Sequence, residues 1–182
     1  MKYQLASLFA IFAMAISGCT AATPYNETIM KLQNMLSVKT NNNSSALTAM
    51  NYYGYNEYTH RAELKSYLGV DPVQTQWCAA FVNSVLEESG ITSNVNHKYP
   101  LTARAFLDWG SKVEPKDIHS GDVVIFPRGN ASWQGHVGFY LRTIERNGVE
   151  YYLILGGNQN NGVSIDAFRA SRAIGIRRNF LI

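Results

Sequence analysis

Residues 135–155 read GHVGFYLRTIERNGVEYYLIL, two runs of β-branched and aromatic residues on either side of Arg146-Asn147-Gly148-Val149. Asn-Gly is the strongest short-range hairpin signal, because both residues tolerate the positive φ of a type I′ turn. The two runs are therefore expected to pair as antiparallel strands over 136–143 and 151–155. Outward from this hairpin, similar short runs bounded by Gly and Asn predict strands at 122–126, 163–165 and 173–177. Toward the N-terminus the texture turns helical. Helices are expected at 24–37, at 56–68 before the Asp71-Pro72 turn, from a Thr75 cap through TQWCAAFVNSVLEES to Gly90, and at 103–109 behind a Thr102 cap. Helices followed by an antiparallel meander make an α+β domain.

The whole chain has 182 residues, 46% hydrophobic and 16% charged, which is material for one packed domain. Its formal charge of +3 is scattered along the sequence, so no basic stripe marks a nucleic-acid partner, and none is expected. Eleven Tyr and three Trp suit a domain with exposed aromatic surface.

Lys2 is the only charge before Glu27, and 5–16 (LASLFAIFAMAI) is an apolar run. That run is about half the roughly 20 residues a membrane-spanning helix needs. A short basic start, an apolar core and small residues before a cut site describe a secretory signal. Ile16-Ser17-Gly18-Cys19 resembles the lipobox of bacterial lipoproteins, which implies cleavage before Cys19 and lipid on that residue. Each buried CH₂ of such a lipid contributes about 0.8 kcal/mol, so several acyl chains anchor stably. Thr20 after the cysteine implies, in a Gram-negative host, an outer-membrane lipoprotein facing the periplasm. The expected division is signal peptide 1–18, a lipidated tether with a short helix and a polar hinge (TNNNSS) over 19–45, and a globular domain over 46–182.

With lipid on Cys19, the second cysteine, Cys78, has no partner for a disulfide in an oxidising compartment. If Thr75 caps the helix, Cys78 lies in its first turn, where free N–H groups and the helix dipole favour a thiolate. A nucleophilic thiol needs a base, and the chain offers His60, His97, His119 and His136. The first three fall in charged or polar surroundings. His136 opens the strand GHVGFY behind a glycine. No histidine pair has a metal-site spacing, so neither metal nor other cofactor is expected. A third group must hold the imidazole in one tautomer. With Asn147-Gly148 as a two-residue turn, Gln159 lies opposite His136, and a single bulge moves Asn158 into that place.

Four motifs in order, WCAAFVNSVLEESG (77–90), GDVVIF (121–126), SWQGHVGFY (132–140) and LGGNQ (155–159), resemble a bacterial and phage family of cell-wall hydrolases. That family is related to the CHAP and NlpC-type peptidases, and the resemblance covers about two thirds of the chain. It implies a papain-like cysteine peptidase domain with Cys78 as nucleophile, His136 as base and Asn158 as the orienting residue. CHAP members commonly carry Glu-Gly-Asn where this chain has Gly156-Gly157-Asn158, so the acidic partner is missing. Trp77, Trp133 and Gln134 are the expected walls of a substrate groove. The implied substrate is an amide bond in peptidoglycan, within the stem peptide or between it and the sugar lactyl group. Two other functions fit the same motifs: an anchored module that binds the wall or a partner without catalysis, and a Cys-dependent acyltransferase or deamidase.

Overall fold

The computed structural model describes residues 44–179. The signal segment, Cys19 and the expected helix at 24–37 lie outside the described residues.

Three α-helices precede the sheet: α1 (Ser44–Met50), α2 (Arg61–Leu68) and α3 (Cys78–Glu88). The first was not expected, since it has only seven residues, yet Ala46, Ala49 and Met50 are all buried in the main core. Ser45 is buried as well, so the folded unit begins inside the segment read as a hinge. Helix α2 starts five residues later than expected. Asn56 accepts the Tyr58 N–H at 2.9 Å, an Asx turn that competes with helical hydrogen bonding, and Glu57 N–H donates to Asn161 O instead.

Helix α3 also starts late, at Cys78 rather than near Thr75. Asp71 organises the preceding segment into turns, accepting the Val73 N–H on its side chain and the Gln74 N–H on its carbonyl. Eight of the eleven α3 residues are buried. Its end is a Schellman motif: Ile91 N–H reaches Leu86 O at 2.8 Å and Gly90 N–H reaches Glu87 O at 2.9 Å. Gly90 has φ +70°, where a side chain would be strained. The expected helix after Thr102 is a 3₁₀ helix, Ala103–Asp108, and the Thr102 side chain makes no capping bond to it.

All six strands pair antiparallel in the order β1-β6-β2-β3-β4-β5. They are β1 (Ser111–Lys112), β2 (Val123–Pro127), β3 (Gly135–Arg146), β4 (Val149–Gln159), β5 (Gly162–Arg169) and β6 (Gly175–Arg178). The architecture is thus mixed α+β, with few helices and one six-stranded sheet. The two-residue β1 was not anticipated; the other five fall on expected strands, mostly longer. Asn147 (φ +51°) and Gly148 (φ +72°) form the hairpin turn.

Both faces of the sheet are covered. Val123, Ile125, Val137, Phe139 and Leu155 pack against the helices, while Val124, Phe126, Tyr140 and Ile154 form a second cluster with Ile176 and Phe168. An ion pair between a buried aspartate and a half-buried arginine ties the C-terminal strand in place. Asp122 takes both forks of Arg178 at 2.7 Å and the His119 N–H at 2.8 Å. Asp122 is 2% exposed, so removing one partner leaves an uncompensated charge near the core. Arg178→Ala, which strands the buried Asp122 carboxylate without its counter-charge, is expected to destabilise the fold by about 3 kcal/mol, read as a lowered midpoint in urea unfolding with little change in slope.

Candidate active site

Cys78 is the first residue of α3, and it is 4% exposed. Burial raises the thiol above its ordinary pKa; the Val137 N–H at the sulfur, the charge of Arg128 and the N–H groups of Ala79 and Cys78 itself pull the other way. The expectation of a thiolate stabilised at the helix start is therefore not met at rest, because desolvation outweighs the dipole. Val137 is the residue after His136, which brings the sulfur against the start of β3.

His136 is 3% exposed. Its ring stacks on Phe168 with centroids 5.2 Å apart, and its Nε2 lies 2.8 Å from Gln159 Oε1. The tautomer follows from the neighbours. Gln159 Nε2 donates to Ser164 O at 2.8 Å and to Ile154 O at 3.3 Å, so Oε1 must face the ring and accept from Nε2–H. The neutral imidazole then carries its lone pair on Nδ1, which is buried and has no hydrogen-bond partner. Burial pulls the His136 pKa down to about 4; the Gln159 bond opposes this, and the Arg128 charge adds to it. Cys78 and His136 make no hydrogen bond to each other.

The orienting contact belongs to Gln159, not to Asn158, and two irregularities explain why. A bulge at Leu141 shifts the β3–β4 register from Arg142↔Leu153 to Tyr140↔Ile154, the shift that would carry Asn158 toward His136. A second shift, between Gly156 and Gln159 in the β4–β5 ladder, occurs where Asn158 adopts φ +57°. The Asn158 side chain donates to Gln76 Oε1 at 2.9 Å, and its carbonyl accepts from Arg128 at 3.3 Å. Gln159 takes the place at the ring. Gly156 makes room for it: a Cβ there would stand 2.8 Å from Gln159 Oε1 and 3.4 Å from His136 Nε2.

Trp77 is not a groove wall. It is fully buried, donates Nε1–H to Glu57 at 2.9 Å and packs edge-on to Phe81. Trp133 is 65% exposed, on the loop before β3. Gln134 serves that loop, its side chain accepting the Ala131 N–H and its carbonyl accepting from Arg104. Gln76 and Arg128 were missed because their loops carry no periodic pattern; Gln76 stands two residues before Cys78, directly ahead of the motif at 77–90. His60 stacks on Tyr55, and His97 lies 3.4 Å from Asp108, both away from these contacts. Among the described residues, no three His, Cys, Asp or Glu side chains are grouped to hold a metal ion.

No protein-family model matches this chain, and no curated protein matches it. Among solved structures, an NlpC/P60 family protein from Bacillus cereus ATCC 10987 is similar at a TM-score of 0.37 and 17% identity, over 57% of this chain and 32% of that one. The chain spans about a third of that structure's length.

The His136 environment has a consequence for stability. An unfolded histidine titrates near 6.5, whereas the folded one holds its proton only below about 4, so the unfolded state binds more protons between these values. The contribution is fully present above about pH 6.5 and is lost as pH falls toward 4, about 3 kcal/mol in all. His136→Asn is expected to flatten this part of the stability–pH curve, measured by urea unfolding at intervals from pH 7 to 4.

Proposed function

We propose that this protein is a cysteine peptidase or amidase that hydrolyses an amide bond of peptidoglycan. The observation that carries the reading is a buried helix-start thiol that meets the Val137 N–H, the residue after a histidine whose tautomer is fixed by Gln159 and whose Nδ1 lone pair is left unpartnered. Their order and wording match the motifs that resemble the cell-wall hydrolases. We further propose that lipid on Cys19 anchors the domain, in a Gram-negative host on the outer membrane, which raises its local concentration at the wall.

In this mechanism both groups start neutral. His136 Nδ1 takes the proton of Cys78 as the sulfur attacks the amide carbonyl carbon, and the carbonyl π electrons move to oxygen. The backbone N–H of Cys78, at the helix start, is the donor assigned to that oxyanion. Collapse expels the amine, which leaves with the proton from His136 and a thioester on Cys78. Water then attacks the thioester, giving its proton to His136, and the thiol is restored. The proton transfer requires the imidazole and sulfur to close on each other when substrate binds, since contacts of this kind are often looser without substrate. Gln159 is the positioning residue of this scheme, and Asn158 braces Gln76 and Arg128.

One observation favours a second reading. A thiol held above its ordinary pKa, with no hydrogen bond to the histidine, also suits an anchored module that binds the wall without cutting it. Mass spectrometry of fragments released from purified peptidoglycan by the full chain separates the two. New amine and carboxylate ends are expected with the wild type and none with Cys78→Ala; wall binding without release by either protein overturns hydrolysis. Transfer to an added amine, or loss of a side-chain amide, would assign the chemistry to acyl transfer or deamidation.

The two amides near the imidazole should also separate kinetically. Gln159→Ala is expected to lower kcat about 100-fold, within the range of general-base contributions. Asn158→Ala, which does not touch the ring, should change it by less than about tenfold.

A further inference from the structure

Every cation after position 116 is an arginine, seven of them between Arg128 and Arg178. Scattered in sequence, three of these come together in the fold. Arg146 ends β3, Arg169 ends β5, and Arg172 closes the 3₁₀ turn that follows. With Tyr151, Asp166 and Phe168 they line one open groove of about 910 Å³, within the size range of small-ligand sites. Tyr151 lies directly across from Arg169 in the β4–β5 ladder, and the Arg146 guanidinium carbon is 5.9 Å from the Tyr151 ring centre.

The three arginines of this groove outnumber its one carboxylate, Asp166. All three arginines are exposed, and none forms an ion pair with a carboxylate among the described residues. Elsewhere the same side chain is forked onto aspartate, Arg61 on Asp71 and Arg178 on Asp122. Three guanidiniums around one groove, none in ion-pair contact with a carboxylate, repel one another unless a further anion joins them. The planar fork of arginine matches phosphate oxygens in pairs, which a lysine ammonium does not. Asp166, on the same wall, would repel a bare polyanion but accepts hydrogen bonds from hydroxyls, and the rings of Tyr151 and Phe168 offer apolar faces to a carbon skeleton.

We propose that this groove binds a phosphate ester of a polyol or sugar, the phosphate on Arg146, Arg169 and Arg172 and a hydroxyl donating to Asp166. A free ester and a phospholipid headgroup share this chemistry. Phe168 also stacks on His136, so a bound ligand would border the candidate active site, but its binding does not depend on Cys78.

Calorimetric titration of the full chain with glycerol 3-phosphate tests this, beside inorganic phosphate and beside vesicles of phosphatidylglycerol or phosphatidylcholine. Saturable binding of glycerol 3-phosphate is expected, weakened about 10- to 100-fold when Arg169→Ala and Arg172→Ala are combined and only partly retained when both are changed to Lys. Asp166→Asn should weaken glycerol 3-phosphate more than inorganic phosphate, and Cys78→Ala should leave both unchanged. Arg146→Ala, outside the 3₁₀ turn, is the second variant if the double change perturbs folding by circular dichroism. Binding confined to phosphatidylglycerol vesicles and sensitive to the same variants assigns the ligand to a lipid headgroup. No binding in any arm, or equal affinity in the arginine variants, overturns the proposal.

Discussion

The seating of Trp77 determines where the rest of the candidate site can be. This indole is the residue before α3, it is fully buried, and its six-membered ring lies against Gly157 so closely that a Cβ at that position would collide with it. On its other side Nε1–H is held by Glu57, whose own N–H is bonded to Asn161 O. One side chain thus fixes the start of a helix to the end of a strand and to the loop before α2. Cys78 follows Trp77 directly and Asn158 follows Gly157 directly, so the thiol and the amides of β4 inherit their separation from this contact. Burying an aromatic of this size contributes on the order of 2–3 kcal/mol. The positional constraint matters more than that energy, because chemistry at an amide carbon depends on ångström-scale placement.

Burial also decides the protonation states. Both Cys78 and His136 lie out of water, and for each the same cause acts first: desolvation disfavours the charged form, raising the thiol and lowering the imidazole. The two shifts together disfavour a thiolate–imidazolium pair. Arg128 does not change this balance evenly, since its positive charge eases ionisation of the sulfur but opposes protonation of the ring. A substrate that fills the site would also change what surrounds both groups, and the proton can move as attack begins rather than before it. The neutral resting state is thus compatible with a general-base mechanism, and it also protects the buried Cys78 thiol from oxidation, which follows thiolate character and exposure.

Strong local signals were legible in the sequence, and features made by tertiary contact were not. Asn147-Gly148 placed the hairpin turn correctly because two positive φ angles leave few alternatives, and Gly90 marked the end of α3 for a similar reason. The beginnings of α2 and α3 were misplaced because Asn56 and Asp71 bind nearby backbone N–H groups through their side chains, a competition that hydrophobic periodicity does not report. Residues 103–108 carry an apolar spacing that fits an α-helix, and they form a 3₁₀ helix instead. The motif order drew attention to Cys78 and His136. It did not separate Asn158 from Gln159, because that choice turns on a bulge at Leu141 and a left-handed residue at 158. Trp77 read as a groove residue since an aromatic beside a candidate nucleophile carries no mark of which way it points. The arginine groove had no signature along the chain, as its members are brought together only by the ends of β3 and β5.

Gly156 is where the departure from the Glu-Gly-Asn pattern acquires a physical meaning. A glutamate there would keep the backbone but add a Cβ within 2.8 Å of Gln159 Oε1, so the Gln159 amide could not remain where it is. The choice is between an acidic side chain from position 156 and an amide from position 159 in the same space beside Nε2. A carboxylate would stabilise the imidazolium and raise the histidine pKa, whereas the amide fixes the tautomer with far less effect on charge. Gln159 can serve because its nitrogen is already committed to Ser164 O and Ile154 O, which leaves its oxygen for the ring. Glycine at 156 is then part of the arrangement that holds His136 through a neutral amide, while burial, against the opposing pull of that hydrogen bond, leaves the imidazole uncharged.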